Sequence, residues 1–122
     1  MPTTPSLLHG SRLLVAEDDY LIAEQLAQEL RAEGAEVLGP ASTLAEALRL
    51  AGSEPRPNGA ILDVNLDGEM VFPLVDLLRG RGVPVVFVTG YDAAAIPRDY
   101  AIIPRCMKPA RLDAVIALLG HG

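Results

Sequence analysis

The sequence predicts an α/β fold: a doubly wound, five-stranded parallel sheet with helices on both faces and a short or irregular fourth helix. Three observations carry this. Short apolar runs alternate with amphipathic stretches of helical period. The alternation recurs along the whole chain, as expected of a parallel sheet joined by right-handed crossovers. The chain has 122 residues and 50% hydrophobic positions, enough for one core and too few for two.

Residues 1–11 read as a flexible leader and 12–120 as the domain. Leu13 to Ala16 is a buried strand that stops abruptly at Glu17, Asp18 and Asp19. Tyr20 to about Glu33 is helical, with Ile22, Leu26 and Leu30 on one stripe, Asp19 as N-cap and Gly34 past the end. Glu36 to Leu38 is a short second strand. Thr43 and Glu46 then form a capping box ahead of the stripe Leu44, Ala47, Leu48 and Ala51.

Pro55, Pro57, Asn58 and Gly59 break the chain before a third strand, Ala60 to Leu62, that ends at Asp63. Val71, Leu74, Val75 and Leu78 mark the following helix, whose first turn alone tolerates Pro73. Val83 to Val88 is the longest apolar run and reads as a central strand, ended by Thr89 and Gly90. Pro97 weakens the helical segment Asp92 to Tyr100. Ile102 to Met107 is the fifth strand, placed at a sheet edge by Pro104. Leu112, Val115, Ile116 and Leu119 make the last helix amphipathic, and Gly120 stops it.

Composition removes several function classes. Sixteen acids against ten bases give a net charge of -6, which opposes direct binding of nucleic acid. With three Tyr, two Phe and no Trp, a base-stacking platform is absent too. No apolar run approaches the length of a membrane span, and the N-terminus lacks a secretion-signal pattern, so a soluble cytoplasmic protein is expected. The lone Cys106 reads as a small buried residue, and His9 and His121 as solvated residues near the termini. Lys108 is the only Lys among the ten basic residues; the others are Arg.

Ligands of open α/β sheets bind outside the carboxyl ends of the strands. Those ends carry Glu17 and Asp18, then Asp63, Thr89 and finally Lys108. Clustered carboxylates repel one another unless a cation sits among them, and hard oxygen donors suit Mg²⁺. A lysine and a hydroxyl beside such an ion make a cradle for a phosphoryl group, so transfer of phosphoryl to a carboxylate is the chemistry suggested.

In this order and spacing the residues resemble a response-regulator receiver domain of bacterial two-component signalling, over residues about 12 to 119. The resemblance implies a flavodoxin-like strand order 2-1-3-4-5. It implies that Asp63 accepts phosphoryl from a phosphohistidine on a histidine kinase or histidine phosphotransferase. It implies that Asp18, Asp63 and the backbone carbonyl of Asn65 hold Mg²⁺, with Glu17 acting mainly through a bound water. Lys108 would pair with a phosphoryl oxygen, and Thr89 would move in as the switch hydroxyl. The product is a self-catalysed signalling change passed to a downstream protein target, by a stand-alone monomer or weak dimer, rather than turnover by an ordinary enzyme.

The chain also departs from the family. Arg105 stands where receivers commonly carry an aromatic, three residues before the Lys. Phe87, Val88, Thr89, Gly90 and Tyr91 are instead similar to a single-domain subgroup with a Phe-Ala-Thr-Gly-x-Tyr sequence, with Tyr91 one place early. Tyr91 is therefore a candidate replacement for the mobile aromatic. The competing readings are a pseudo-receiver scaffold that is not phosphorylated and a small-metabolite phosphohydrolase. An EF-hand loop from Asp63 to Gly68 fails because Leu74 stands where a Glu is required.

Overall fold

The computed structural model describes residues 8–90 and 96–120. Strand β1 (Arg12–Ala16) is followed by α1 (Tyr20–Ala32), β2 (Glu36–Ala41), α2 (Leu44–Ala51) and β3 (Gly59–Leu62). A two-strand hairpin, β4 (Asn65–Leu66) and β5 (Glu69–Met70), leads into α3 (Phe72–Gly80). Then come β6 (Val85–Thr89), a 3₁₀ turn (Arg98–Tyr100), β7 (Arg105–Met107) and α4 (Leu112–Gly120). The main sheet is parallel throughout, in the order β2-β1-β3-β6-β7. Leaving out the hairpin, this is the expected 2-1-3-4-5 order.

Alternation along each strand sends side chains to opposite faces and divides the core. Leu14, Ala60, Leu62 and Phe87 pack with α2 and α3 residues such as Ala47 and Leu74. Leu13, Val15, Ile61 and Val88 pack on the other face with Leu30 of α1 and Val115 of α4. Leu8, within the segment read as leader, is 4% exposed and belongs to that second cluster.

Caps and breakers act much as the residues predict. The Asp19 carboxylate accepts from the N–H groups of Leu21 and Ile22 at 3.0 and 3.2 Å, which turns the chain out of β1 into α1. Thr43 Oγ1 accepts from Glu46 N at 3.2 Å, but the Glu46 carboxylate is drawn to Arg49 at 2.7 Å rather than back to the cap. Pro73 lies in the first turn of α3.

Several boundaries and faces differ from expectation. Strand β2 runs on to Ala41, through Gly39 at φ 96 and past a register shift opposite Val15. A Cβ on Gly39 would stand 2.9 Å from the Val15 carbonyl oxygen, so only glycine allows this approach. Strand β6 starts after Pro84, which has no N–H to give, and extends to include Thr89. It is an interior strand; β3 holds the middle of the sheet. Strand β7 is only Arg105–Met107, because Pro104 cuts it from Ile102 and Ile103, and it does lie at the edge. Helix α1 buries Leu30 of the expected stripe together with the small Ala23 and Ala27, and Leu26 packs partly against the core, while Ile22 stays 36% exposed.

Candidate functional site

Parallel strands deliver all the selected residues to one edge of the sheet. Glu17 and Asp18 follow β1, Asp63 follows β3, Thr89 closes β6 and Lys108 follows β7. Glu17 is 4% exposed, Asp63 9% and Thr89 1%, whereas Asp18 is open to solvent. Asp18, Asp63, Asn65, Thr89 and Lys108 line one cleft of about 230 Å³ together with Val64 and Gly90.

Lys108 is the hub of this cleft. Its Nζ lies 2.6 Å from Glu17 Oε1 and 2.7 Å from Asp63 Oδ2. Its backbone N–H donates to the Thr89 carbonyl at 2.8 Å. The contact with Glu17 spans ninety-one positions of sequence and has no local signal; the family resemblance implies for Glu17 only a role through a bound water. Glu17 Oε2 accepts from Asp19 N at 2.9 Å, which fixes the buried carboxyl from its other side.

The acids are close enough to act together. Glu17, Asp18 and Asp63 each offer a carboxylate oxygen within 4.8 Å of the others'. Burial pushes the Glu17 carboxyl up to about 7, against the pull of Lys108. Burial also raises Asp18, but the Asp67 backbone N–H and the Glu17 carboxyl outweigh it, so Asp18 lies below its ordinary value. For Lys108, burial disfavours the ammonium, yet the hydrogen bonds to Asp63 and Glu17 win and raise it. Three carboxyls facing one ammonium leave negative charge that a divalent cation would neutralise. The donors are all hard oxygens, the set that suits Mg²⁺.

Two features of the site escape the sequence. The hairpin after Asp63 ties itself to the acids: Asp67 N donates to Asp18 Oδ2 at 2.8 Å, and Asn65 N to Asp63 Oδ1 at 3.3 Å. The Asp67–Gly68 turn is visible in the sequence, but strands of two residues are too short to show a period. Beside Lys108, a mostly apolar groove of about 340 Å³ runs between α1 and the segment that follows β7, lined by Ile22, Leu26, Val88, Pro109 and Ala110 among others. Its signal is the apolar pair Ile22 and Leu26 on α1, of which Ile22 is 36% exposed. Tyr91 lies outside the described residues.

No family model matches the chain. The solution structure of SdrG from Sphingomonas melonis Fr1 is 33% identical to it, with a TM-score of 0.77, covering 90% of this chain and 93% of that one. The response-regulator receiver domain of PhyR from Erythrobacter litoralis is 27% identical with a TM-score of 0.77, over 93% of this chain and 89% of that one. This chain belongs to the response-regulator receiver domains. A curated relative of the receiver is the phyllosphere-induced regulator PhyR of Methylorubrum extorquens, 34% identical over 114 residues, 88% of this chain and 43% of PhyR. The receiver thus spans about half the length of the curated relatives it matches. SdrG is also known in a BeF3-activated conformation, 32% identical over 89% of the receiver and 92% of that chain. Among the described residues no helix is long and apolar enough to cross a membrane.

Proposed function

We propose that this receiver is a phosphoacceptor: Asp63 takes a phosphoryl group from a phosphohistidine on a histidine kinase or histidine phosphotransferase, and the resulting charge changes which proteins the domain contacts. The observation that carries this is the hub geometry, with the Lys108 ammonium 2.7 Å from an Asp63 carboxylate oxygen at the floor of an open cleft. A BeF3-activated conformation of SdrG supports it, because beryllofluoride is an acyl-phosphate mimic.

A carboxylate oxygen of Asp63 forms the new bond to phosphorus as the phosphorus–nitrogen bond of the donor breaks, and the imidazole leaves with the electron pair. Lys108 already contacts Asp63 and is placed to meet charge on a phosphoryl oxygen without moving far. Thr89, held beside it through the Lys108 N–H to Thr89 carbonyl bond, supplies a hydroxyl to the same cleft. Asp18, Asp63 and the Asn65 carbonyl would hold Mg²⁺, with Glu17 behind them; bound there, the ion offsets charge on the transferring phosphoryl group. The apolar groove next to Lys108 gives a partner a seat from which its imidazole can reach the cleft. A phosphohistidine partner belongs to the cytoplasmic side, where ATP is available, so the receiver is proposed to work there.

The test is incubation with Mg²⁺ and acetyl phosphate followed by intact-mass measurement. One added phosphoryl group, absent in Asp63→Asn, is expected. Absence of any adduct in a protein that binds Mg²⁺ would sink the proposal in favour of a non-phosphorylated scaffold.

A further inference from the structure

The hairpin that follows Asp63 is built to hold one conformation. Its turn places Asp67 at φ 53 and Gly68 at φ 93, the paired positive angles that suit a two-residue hairpin. Asn65 pairs with Met70 and Leu66 with Glu69. The Asn65 side-chain oxygen accepts from Gly68 N at 2.7 Å across the turn. Leu66 and Val71 are fully buried below it, so the hairpin is anchored to the core.

This rigid turn aims its Asp67 N–H at Asp18 Oδ2, 2.8 Å away and forty-nine positions distant in sequence. Asp18 is itself exposed, and an exposed carboxylate without such a tether samples several rotamers. The same hairpin donates Asn65 N to Asp63. Two carboxylates of the acidic cluster are therefore oriented from one short element that belongs to neither of their strands.

We propose that Asp67 and Gly68 are positioning residues for the divalent-cation site: their turn presets the Asp18 carboxylate, so cation affinity depends on turn geometry although neither residue supplies a ligand. This rests on the reading of the acidic cluster as a Mg²⁺ site. Groups that orient metal ligands without touching the metal commonly matter this much to affinity.

Gly68 provides a clean test, because a Cβ there meets no atom within 4 Å and a substitution acts through the backbone angle alone. Asn tolerates that angle and Val does not. Mg²⁺ alone is titrated into the wild type, Gly68→Val, Gly68→Asn and Asn65→Ala, with backbone amide shifts reporting binding and hydrogen exchange reporting the Asp67 amide. Gly68→Val is expected to bind roughly 10-fold more weakly, with faster exchange at Asp67, while Gly68→Asn stays within about 2-fold of wild type. Should Gly68→Val fail to fold, Asn65→Ala, which removes the acceptor for Gly68 N and keeps the main chain, is expected to weaken binding several-fold. Variants that bind as well as a binding wild type overturn this inference alone. A wild type that does not bind Mg²⁺ overturns the reading of the site and this inference with it.

Discussion

The backbone N–H of Lys108 donates to the carbonyl of Thr89 at 2.8 Å, so the end of β7 is stitched to the end of β6 at the point where both enter the cleft. The Lys108 side chain leaves from that stitch to meet Glu17 and Asp63 at 2.6 and 2.7 Å. A compact ammonium on a flexible stem lets one nitrogen meet both carboxylates, whereas a planar guanidinium would have to meet them with separate nitrogens in a fixed fork.

Lys108→Arg is therefore expected to keep the fold and the net charge while weakening the response to beryllofluoride by roughly 10-fold or more. Amide shifts recorded during a beryllofluoride titration in Mg²⁺ check this. An undiminished response would make Lys108 an accident of composition in a chain that otherwise uses Arg.

Mg²⁺ is expected to stabilise the protein in proportion to its binding. At ten times the dissociation constant the gain is about 1.4 kcal/mol, which corresponds to a rise of about 5 °C in melting temperature for a domain of this size. Addition of a chelator reverses the rise, and Asp18→Ala abolishes it. Thermal scans with and without Mg²⁺ measure both.

Tyr100 anchors the connection between β6 and β7 to α3. Its ring stacks on Phe72 at 4.6 Å between centroids, its hydroxyl donates to Asp76 Oδ1 at 2.8 Å, and the Arg79 guanidinium lies 5.6 Å over its face. Tyr100→Ala is expected to cost about 1–3 kcal/mol in urea unfolding, and Tyr100→Phe, which keeps the stack, about 1 kcal/mol or less.

Gly39→Ala tests the bend in β2. A Cβ there would stand 2.9 Å from the Val15 oxygen and 2.5 Å from Ala41 N, at a φ of 96 that L residues avoid. A loss of about 1–3 kcal/mol is expected, with the amide resonances of β1 shifted most. A neutral substitution would show that the register shift between β1 and β2 can relax.

The strand ends were the most legible part of this molecule. An apolar run that stops at Asp63, or at Glu17 and Asp18, is a local pattern, and parallel topology brings such ends together without further information. What sequence periodicity misses is whatever depends on a contact between distant segments. The Glu17–Lys108 pair and the Asp67 N–H on Asp18 are of this kind. Helix α1 was legible only in part: Leu30 of the apolar stripe is buried and Leu26 packs against the core, but the sheet also takes the small Ala23 and Ala27, and Ile22 is left 36% exposed. Ile22 and Leu26 also line the groove beside Lys108.

The sheet divides the core into two layers. Phe87 touches Phe72, which stacks on Tyr100, all on the α2 and α3 side. Val88, its neighbour in the strand, faces the opposite layer and the groove of α1. The groove and the aromatic train thus lie on opposite faces of the sheet. If Asp63 is phosphorylated as proposed, the new charge arises at the carboxyl edge of the sheet, where both faces end.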